Sequence, residues 1–408
     1  MGVPNWEGRE AKKEIRSFSE SIDMGAKKFN WYEFFAGGGM ARLGLGSRWN
    51  CTFANEWCEK KASAYRSHFG TSPELKVQDI RSVTADSLPG RPDLVWASFP
   101  CQDLSLAGNG VGLRGERSGT FWAFWRLMED LTREGRPSRV IVLENVIGAL
   151  TSNRGRDFLA IARAVSEAGY RLGALVIDAV RFLPQSRPRL FILAVQSEEN
   201  TPSNLLSDQP NPVLHPKTLI AAYSELPQAL REAWVWWHLP MPSVPSGSLA
   251  GIVQPRPAGV EWHTPDETKR LLRLMSRENL RKVEQARQLR KPIIGTIYKR
   301  TRLNEEGQKV QRAEVRFDQI SGCLRTPGGG SSRQTILIVN GDSIRSRLLS
   351  PREAARLMGV PDNYPLPGNY NEAYHLMGDG LVVPVVNWLE DHLLYPLALR
   401  NARASEAA

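Results

Sequence analysis

The sequence predicts an α/β protein with a larger domain and a second, smaller one. Between residues 29 and 197, short apolar runs alternate with amphipathic stretches at helical spacing, which is the pattern of an open α/β sheet. From about Ser197 this alternation stops and prolines crowd between Thr201 and Pro257, which indicates a domain boundary. The length of 408 residues also exceeds the roughly 150 residues expected of one domain.

The end of the chain is predicted to rejoin the first domain. An apolar helical pattern runs from Val385 to Leu399 and needs a core to cover. We therefore expect a discontinuous larger domain. The predicted division is an N-terminal arm at 1–28, a larger domain at 29–197 and 366–408, and a smaller domain with its hinge at 198–365.

Charge and cysteine content restrict the class of protein. Lys and Arg number 53 against 43 Asp and Glu, a net charge of +10 that favours a polyanionic partner without identifying it. The four cysteines form no Cys-x-x-Cys pair and no His/Cys ligand spacing, so we expect neither a metal site nor a disulfide framework. No run approaches the roughly 20 apolar residues of a membrane span, and a cytoplasmic protein is expected.

The first ordered motif reads as strand, glycine loop and helix. A β-prone run at 29–35 is followed by Ala36, Gly37, Gly38 and Gly39. Glycines let the backbone approach a ligand closely, and the free N–H groups of a helix start favour an anionic group such as a carboxylate. The spacing is not Gly-x-Gly-x-x-Gly and no Gly-Lys-Ser/Thr follows, so dinucleotide and P-loop sites are disfavoured.

Two further predicted strands end near acids. The strand at 51–55 precedes Glu56 and Trp57, where a carboxylate can bind a ribose and an indole can cover an adenine. An ordinary surface glutamate is the alternative interpretation of Glu56. The run 75–80 contains Asp79, which suits either an adenine amino group or a helix N-cap.

The strongest candidate for chemistry is Cys101. The apolar run 93–97 predicts a buried strand, and Pro100 ends its ladder, so Cys101 lies just past the carboxyl end of a strand, where open α/β sheets bind ligands. A thiol is intrinsically nucleophilic there. The commoner role of a lone cysteine is apolar packing. The long glycine-rich stretch 106–120 that follows has the length of a mobile lid.

Three charged residues join this candidate site. Glu144 follows the predicted strand 139–143, where burial should raise its pKa and suit it to act as a general acid. Arg187 and Arg189 flank the start of a later strand and can bind phosphate or a polar edge of a substrate; surface arginines are the alternative.

The second domain is predicted to be basic. The stretch 266–290 is expected to form one helix with a Lys/Arg face, and basic strands follow at 293–302 and 311–317, so a phosphate-binding surface is expected. The aromatic run 234–237 is interpreted as the core of a small domain rather than a base-stacking platform.

Taken in chain order, these motifs resemble the DNA (cytosine-5) methyltransferase family. The matching segments are Glu33 to Gly39, Asn55 to Trp57, Gln78 to Ile80, Phe99 to Gln102, Gly119 to Phe121, Glu144 to Val146, Gln185 to Arg189, Arg347 to Glu353 and Gly378 to Val382. Residues from about Ser197 to Arg345 occupy the variable target-recognition position. The departures are Met40, Gln78, Leu104 and Asp379-Gly380, which concern the details of the cofactor pocket.

The resemblance implies a Rossmann-like domain that uses S-adenosylmethionine and a smaller target-recognition domain. It implies a monomeric bacterial enzyme that acts on double-stranded DNA, alongside a restriction endonuclease where it belongs to a restriction-modification system. The implied catalytic residues are Cys101, Glu144, Arg187 and Arg189. The implied cofactor-binding residues are Phe35, Ala36, Gly37, Gly39, Glu56, Trp57, Asp79, Ile80, Pro100, Phe121, Asp379 and Gly380.

The family chemistry assigns each catalytic residue a role. Cys101 is expected to add to C6 of a cytosine flipped out of the duplex, and Glu144 to hold a proton at N3. Arg187, together with Arg189, is expected to hold the carbonyl of the base or a nearby phosphate. Three alternative functions remain open: an RNA (tRNA) cytosine-5 methyltransferase of the same fold, a non-catalytic DNA-binding protein, and a thiol hydrolase. None of the six histidines has a family-like context beside Cys101 that would favour the hydrolase.

Overall fold

The computed structural model describes residues 28–100, 119–242, 247–304, 306–326 and 332–400. The strands are β1 (Phe29–Phe34), β2 (Trp49–Glu56), β3 (Leu75–Val77), β4 (Leu94–Ala97), β5 (Val140–Asn145), β6 (Tyr170–Asp178), β7 (Pro188–Gln196), β8 (Leu206–Ser207), β9 (Trp236–Trp237), β10 (Ile293–Leu303), β11 (Lys309–Arg316), β12 (Thr335–Asn340) and β13 (Ser343–Leu348).

Helices pack on the two larger of the three sheets that the described strands form. They are α1 (Met40–Leu45), α2 (Glu59–Phe69), α3 (Thr120–Arg133), α4 (Arg156–Glu167), α5 (Lys217–Ser224), α6 (Gln228–Glu232), α7 (Leu249–Ile252), α8 (Pro265–Arg273), α9 (Arg277–Gln288), α10 (Pro351–Leu357), α11 (Tyr370–Asp379) and α12 (Val383–Leu389), which a π-helical turn at Glu390–Leu394 continues. Among the described ranges, no helix combines the length and apolar character that a membrane crossing requires.

The first sheet positions the candidate site. Its seven strands run in the order β3-β2-β1-β4-β5-β7-β6, and all are parallel except β7. The strand order reverses between β1 and β4, which is the switch point where open α/β sheets bind ligands. Since β7 is antiparallel, its first residues lie at the same edge as the last residues of β5, and Asn145 pairs with Leu190.

The C-terminal helices contribute to the core of this first sheet. Buried residues of α10, α11 and α12 share one apolar cluster with Trp31 and Trp96 of the sheet. Close contact between α1 and α12 depends on Gly44, because a Cβ atom there would lie 2.4 Å from Cβ of Val386.

The second sheet is antiparallel, with the order β11-β10-β12-β13. Its own apolar cluster includes Leu271 and Val283 from α8 and α9, together with Ile297 and Leu337 from the sheet. The prediction of a single helix over 266–290 was wrong. The chain breaks between α8 and α9, where the side chain of Ser276 accepts a hydrogen bond from the backbone N–H of Asn279 and starts a new helix.

The aromatic run 234–237 is core, but not the core of the second sheet. Trp234 packs against Phe158 of α4, with ring centroids 6.2 Å apart, and forms an isolated β-bridge with Leu172 of β6. Trp237 is fully buried. Residues beyond the proposed boundary at 197 therefore cover the first sheet, while the domain limits themselves stay a prediction.

Candidate active site

A cavity of about 530 Å³ lies at the carboxyl edge of β1, β2, β4 and β5. It collects most of the residues that sequence reasoning selected. The selected residues that line it are Phe35, Ala36, Gly37, Glu56, Trp57, Asp79, Ile80, Pro100, Glu144, Arg187, Arg189, Asp379 and Gly380.

Glu56 organises one end of this cavity. Its Oε2 accepts a hydrogen bond from the backbone N–H of Gly37 (2.8 Å), and its Oε1 accepts from those of Trp57 (3.0 Å) and Cys58 (2.8 Å). The carboxylate thereby ties the glycine loop to the end of β2. Gly37 adopts a positive φ of 57°, which suits glycine. The Trp57 side chain is 72% exposed, so its ring is open to a ligand.

Asp79 caps a short 3₁₀ turn. Its side chain accepts a hydrogen bond from the backbone N–H of Arg81 (2.8 Å) and pairs with the guanidinium of the same residue (3.2 Å). The capping interpretation of Asp79 is thus confirmed, although the residue also lines the cavity. Ile80 beside it is buried and adds an apolar wall.

Asp379 lines the cavity from the end of α11. It forms an ion pair with Lys61 (2.8 Å) and accepts a hydrogen bond from the Thr326 hydroxyl. Burial raises the pKa of Asp379, but the charge of Lys61 and the hydrogen bonds from Lys61 and Thr326 together outweigh this effect. The net shift of the pKa is therefore downward, and the carboxylate is ionised. This pair connects α2 to the end of α11.

Glu144 is the buried acid of the site. It is 8% exposed, near the end of β5, and its Oε1 lies 3.3 Å from Nε of Arg189. Burial raises the pKa of Glu144 above its ordinary range, and the charges of Arg189 and Arg187 oppose the rise. A carboxyl that is protonated more easily than usual can hold or donate a proton to a substrate.

The neighbour of Glu144 anchors the segment that leads to the predicted nucleophile. Asn145 donates a hydrogen bond from Nδ2 to the carbonyl oxygen of Phe99 (3.1 Å), and its Oδ1 accepts from the backbone N–H of Val146 (2.9 Å). Cys101 itself lies outside the described residues. The last described residue before it, Pro100, lines the same cavity as Glu144.

The two arginines have different surroundings. Arg187 is 3% exposed and donates to three backbone carbonyls, those of Leu324 (2.7 Å), Gly378 (3.0 Å) and Gly380 (2.7 Å). It therefore joins the start of β7 to two distant segments of the chain. Arg189, by contrast, extends along Glu144.

Two of the selected residues do not line the cavity. Gly39 starts α1 with a positive φ of 76°, and a Cβ atom there would lie 2.4 Å from the Phe69 ring. Phe121 is fully buried and packs on Phe99, with ring centroids 5.2 Å apart. Both residues support the cavity wall from behind rather than facing it.

Sequence reasoning missed Glu33. This residue is 2% exposed in β1 and lines the cavity, and its Oε2 has no hydrogen-bond partner among the described residues. Burial, partly offset by Arg42, raises the pKa of Glu33 to about 8. An acid inside an otherwise aromatic and apolar strand was the available signal, because a buried carboxyl is costly without a purpose.

Solved structures of other proteins share this fold. The S. pombe Dnmt2 methyltransferase matches with a TM-score of 0.54 and 16% identity, over 92% of this chain and 99% of that chain. The Spodoptera frugiperda DNMT2 mutant matches with a TM-score of 0.55 and 16% identity, over 91% and 99%. The fold class is thereby confirmed as the Rossmann-like methyltransferase fold.

The family follows from the sequence comparison. The model of the C-5 cytosine-specific DNA methylase family matches residues 29–394, and the chain belongs to that family of enzymes. It is 26% identical over 361 residues to the type II methyltransferase M.HhaI of Haemophilus parahaemolyticus, covering 88% of this chain and 91% of the relative. It is 24% identical over 384 residues to M.HpaII of Haemophilus parainfluenzae, covering 88% and 87%.

Proposed function

We propose that this enzyme transfers a methyl group from S-adenosylmethionine to C5 of a cytosine flipped out of duplex DNA. The observation that carries the proposal is the position of Glu144, a buried acid beside Arg189 in the same cavity as the exposed indole of Trp57. Family membership supports the substrate class, and the net charge of +10 supports a polyanionic partner.

The residues of the cavity fit S-adenosylmethionine. Trp57 offers an open aromatic face to an adenine. The Oε2 atom of Glu33, which lacks a partner among the described residues, can accept a hydrogen bond from the ammonium group of the methionyl part. When bound, the cofactor supplies an activated methyl group.

The chain's own residues prepare the cytosine. The thiolate of Cys101 adds to C6, Glu144 holds a proton at N3, and Arg189 donates a hydrogen bond to the carbonyl oxygen of the base. This addition makes C5 nucleophilic. After methyl transfer, loss of the C5 proton and departure of Cys101 restore the aromatic ring. Asn145 supports this chemistry by fixing Phe99, two residues before the thiol.

DNA has to open before this site can act. C6 is inaccessible inside a duplex, so the base is flipped at a cost of a few kcal/mol. The exposed ends of β10 and β11 present Arg300, Arg302 and Arg312, which suit phosphate contacts. We further propose, from the type II designation of the relatives, that the enzyme acts alongside a restriction endonuclease.

Bisulfite sequencing of DNA from cells that express the chain tests the proposal. We expect protected cytosines at one recurring sequence in the wild type and none in Cys101→Ser or Glu144→Gln. Glu167→Gln, an exposed substitution on α4, should behave as the wild type and serves as the control.

A second experiment tests the RNA alternative. The purified enzyme is given labelled cofactor with tRNA instead of DNA. Labelling of tRNA alone would contradict the proposal.

A further inference from the structure

A second cavity, of about 370 Å³, lies between α9, β10, β11 and the segment 322–325. It does not share its lining with the active-site cavity. Cys323 lines this second cavity, while Arg187 and Arg189, which it contacts, line the first. The thiol is therefore part of the wall that separates the two spaces.

Cys323 lies in a cationic environment. Its Sγ is 3.5 Å from Nη1 of Arg187 and 3.9 Å from Nη2 of Arg189. Burial raises the pKa of the Cys323 thiol, but the positive charges of Arg187, Arg189 and Arg325 together outweigh this effect. The net result is a pKa lowered to about 7. The Cys323 thiol donates a hydrogen bond to the carbonyl oxygen of Leu324, and this bond is lost when the thiolate forms. The same oxygen also accepts a hydrogen bond from Arg187, so it keeps a partner.

The same cavity holds an unsatisfied amide. Gln334 is 1% exposed, and neither its Oε1 nor its Nε2 has a hydrogen-bond partner among the described residues. A buried primary amide without partners is costly, and this one offers a donor and an acceptor to a peptide group. This second observation indicates that the cavity accommodates a polar molecule.

The charges of the cavity favour an anion. The lining includes four cations and two carboxylates, namely Lys282, Arg300, Arg316 and Arg325 against Glu278 and Glu314. Glu278 pairs with Lys282 (3.1 Å) and Glu314 with Arg300 (3.4 Å). Arg316 pairs with Asp318 (2.5 Å). No ion pair of Arg325 is found among the described residues, and its exposed side chain is available to an anionic group.

We propose that Cys323 is a modification site that forms a mixed disulfide with a small anionic disulfide such as oxidised glutathione. The thiolate of Cys323 attacks one sulfur of that disulfide, a new S–S bond forms and the original one breaks. The departing thiolate takes up a proton from water, so no other oxidant is needed. The attached peptide then occupies the second cavity, whose lining includes the proposed phosphate contact Arg300, and hinders access of DNA, an effect that rests on the proposed function.

The first test measures reactivity on the full chain. Oxidised glutathione is added, and peptide mass spectrometry follows the mixed disulfide at each cysteine. We expect Cys323 to react at least 10-fold faster than the partly exposed Cys58, and the buried Cys51 to stay unmodified. A rate at Cys323 equal to or below that of Cys58 would overturn the proposal.

A charge variant tests the role of the cavity. Arg325→Ala should slow thiolation of Cys323 about 5-fold, since it removes a cation from the lining and raises the pKa of the thiol. Arg270→Ala removes another exposed cation, which lies on α8 and does not line the cavity, and should leave the rate unchanged. Equal rates in both variants would contradict an anion-binding cavity.

The last test measures the consequence for DNA. The Cys101→Ser background removes the predicted catalytic thiol from the assay. Thiolation should raise the Kd for duplex DNA about 10-fold in that background, and dithiothreitol should restore it; Cys101→Ser/Cys323→Ser should show no change. An unaltered Kd after complete modification would overturn the inhibitory effect. If the untreated wild type does not methylate DNA but Cys323 is still thiolated selectively, only the proposed function is refuted.

Discussion

Nε of Arg189 lies 3.3 Å from Oε1 of Glu144, although the two residues belong to strands of opposite direction. The contact exists because β7 starts at the edge of the sheet where β5 ends. It places a permanent cation against an acid whose pKa burial has raised, so the protonation state of Glu144 depends on Arg189.

The pH dependence of methyl transfer should report this pair. If protonated Glu144 is the active form, the rate falls as pH rises through its pKa. Arg189→Ala removes a charge that lowers this pKa, so the alkaline limb should move to higher pH. Glu144→Gln should lose roughly 10²- to 10⁴-fold in rate. Single-turnover rates with labelled cofactor from pH 5 to 10 provide the measurement. Arg163→Ala, an exposed change on α4, is the control, and an unmoved limb in Arg189→Ala would refute the coupling.

Arg187 should matter more for stability than Arg189. Its guanidinium donates to three backbone carbonyls, and Arg187→Ala leaves those of Gly378 and Gly380 without this donor, while that of Leu324 keeps only the Cys323 thiol. We expect the free energy of unfolding to fall by about 3 kcal/mol for Arg187→Ala and by less than about 1 kcal/mol for Arg189→Ala. Urea denaturation followed by circular dichroism measures both. Equal losses would show that the clamp does not stabilise the fold.

Glu33 should make stability depend on pH. Its pKa is about 8 in the folded chain against an ordinary value of 4.5, so the folded state holds an extra proton between these values. The contribution of Glu33 to the free energy of unfolding is fully present below about pH 4.5 and is lost as the pH rises towards 8. Glu33→Gln removes this titration, so it should lose about 3 to 4 kcal/mol less than the wild type between pH 5 and pH 8. Denaturation curves at pH 5 and 8 test this; Glu390, whose pKa is also raised, is common to both proteins. Identical losses would contradict it.

Trp57 should contribute to cofactor binding without stabilising the fold. Stacking on an aromatic side chain is worth about 1 to 3 kcal/mol per base, so Trp57→Ala should raise the Kd for S-adenosylmethionine about 10- to 100-fold. Because the side chain is 72% exposed, unfolding should change by less than about 0.5 kcal/mol. Isothermal titration calorimetry measures the affinity. Trp122→Ala, a change at another exposed indole, is the matched control. Equal affinities for the two variants would exclude the stacking role.

Local sequence signals placed most of the site. The prediction that Glu144 follows a buried strand was nearly right: the residue lies near the end of β5, at the edge where parallel strands converge. The glycine loop, Glu56 and Asp379 came to one cavity because each follows or caps an element that ends at this edge. Alternation of apolar runs alone predicts such an edge.

Other features depended on contacts that no local pattern encodes. The division of the basic stretch into α8 and α9 depended on the N-cap at Ser276. Trp234 packs against Phe158 of α4, on the first sheet rather than on the second. Gly39 and Phe121 belong to matching motifs, yet they support the cavity from behind because side-chain direction is set by packing.

The sequence by itself determined the order of the motifs, the kinds of side chain at each strand end and the family, because these follow from residue identity and periodicity. Only the tertiary structure decided that Arg187 clamps three carbonyls while Arg189 meets Glu144, and that Cys323 lies between the two arginines. The physical reason is that the antiparallel course of β7 and the return of the 322–325 segment bring together groups far apart along the chain, and their pKa values follow from that proximity and burial.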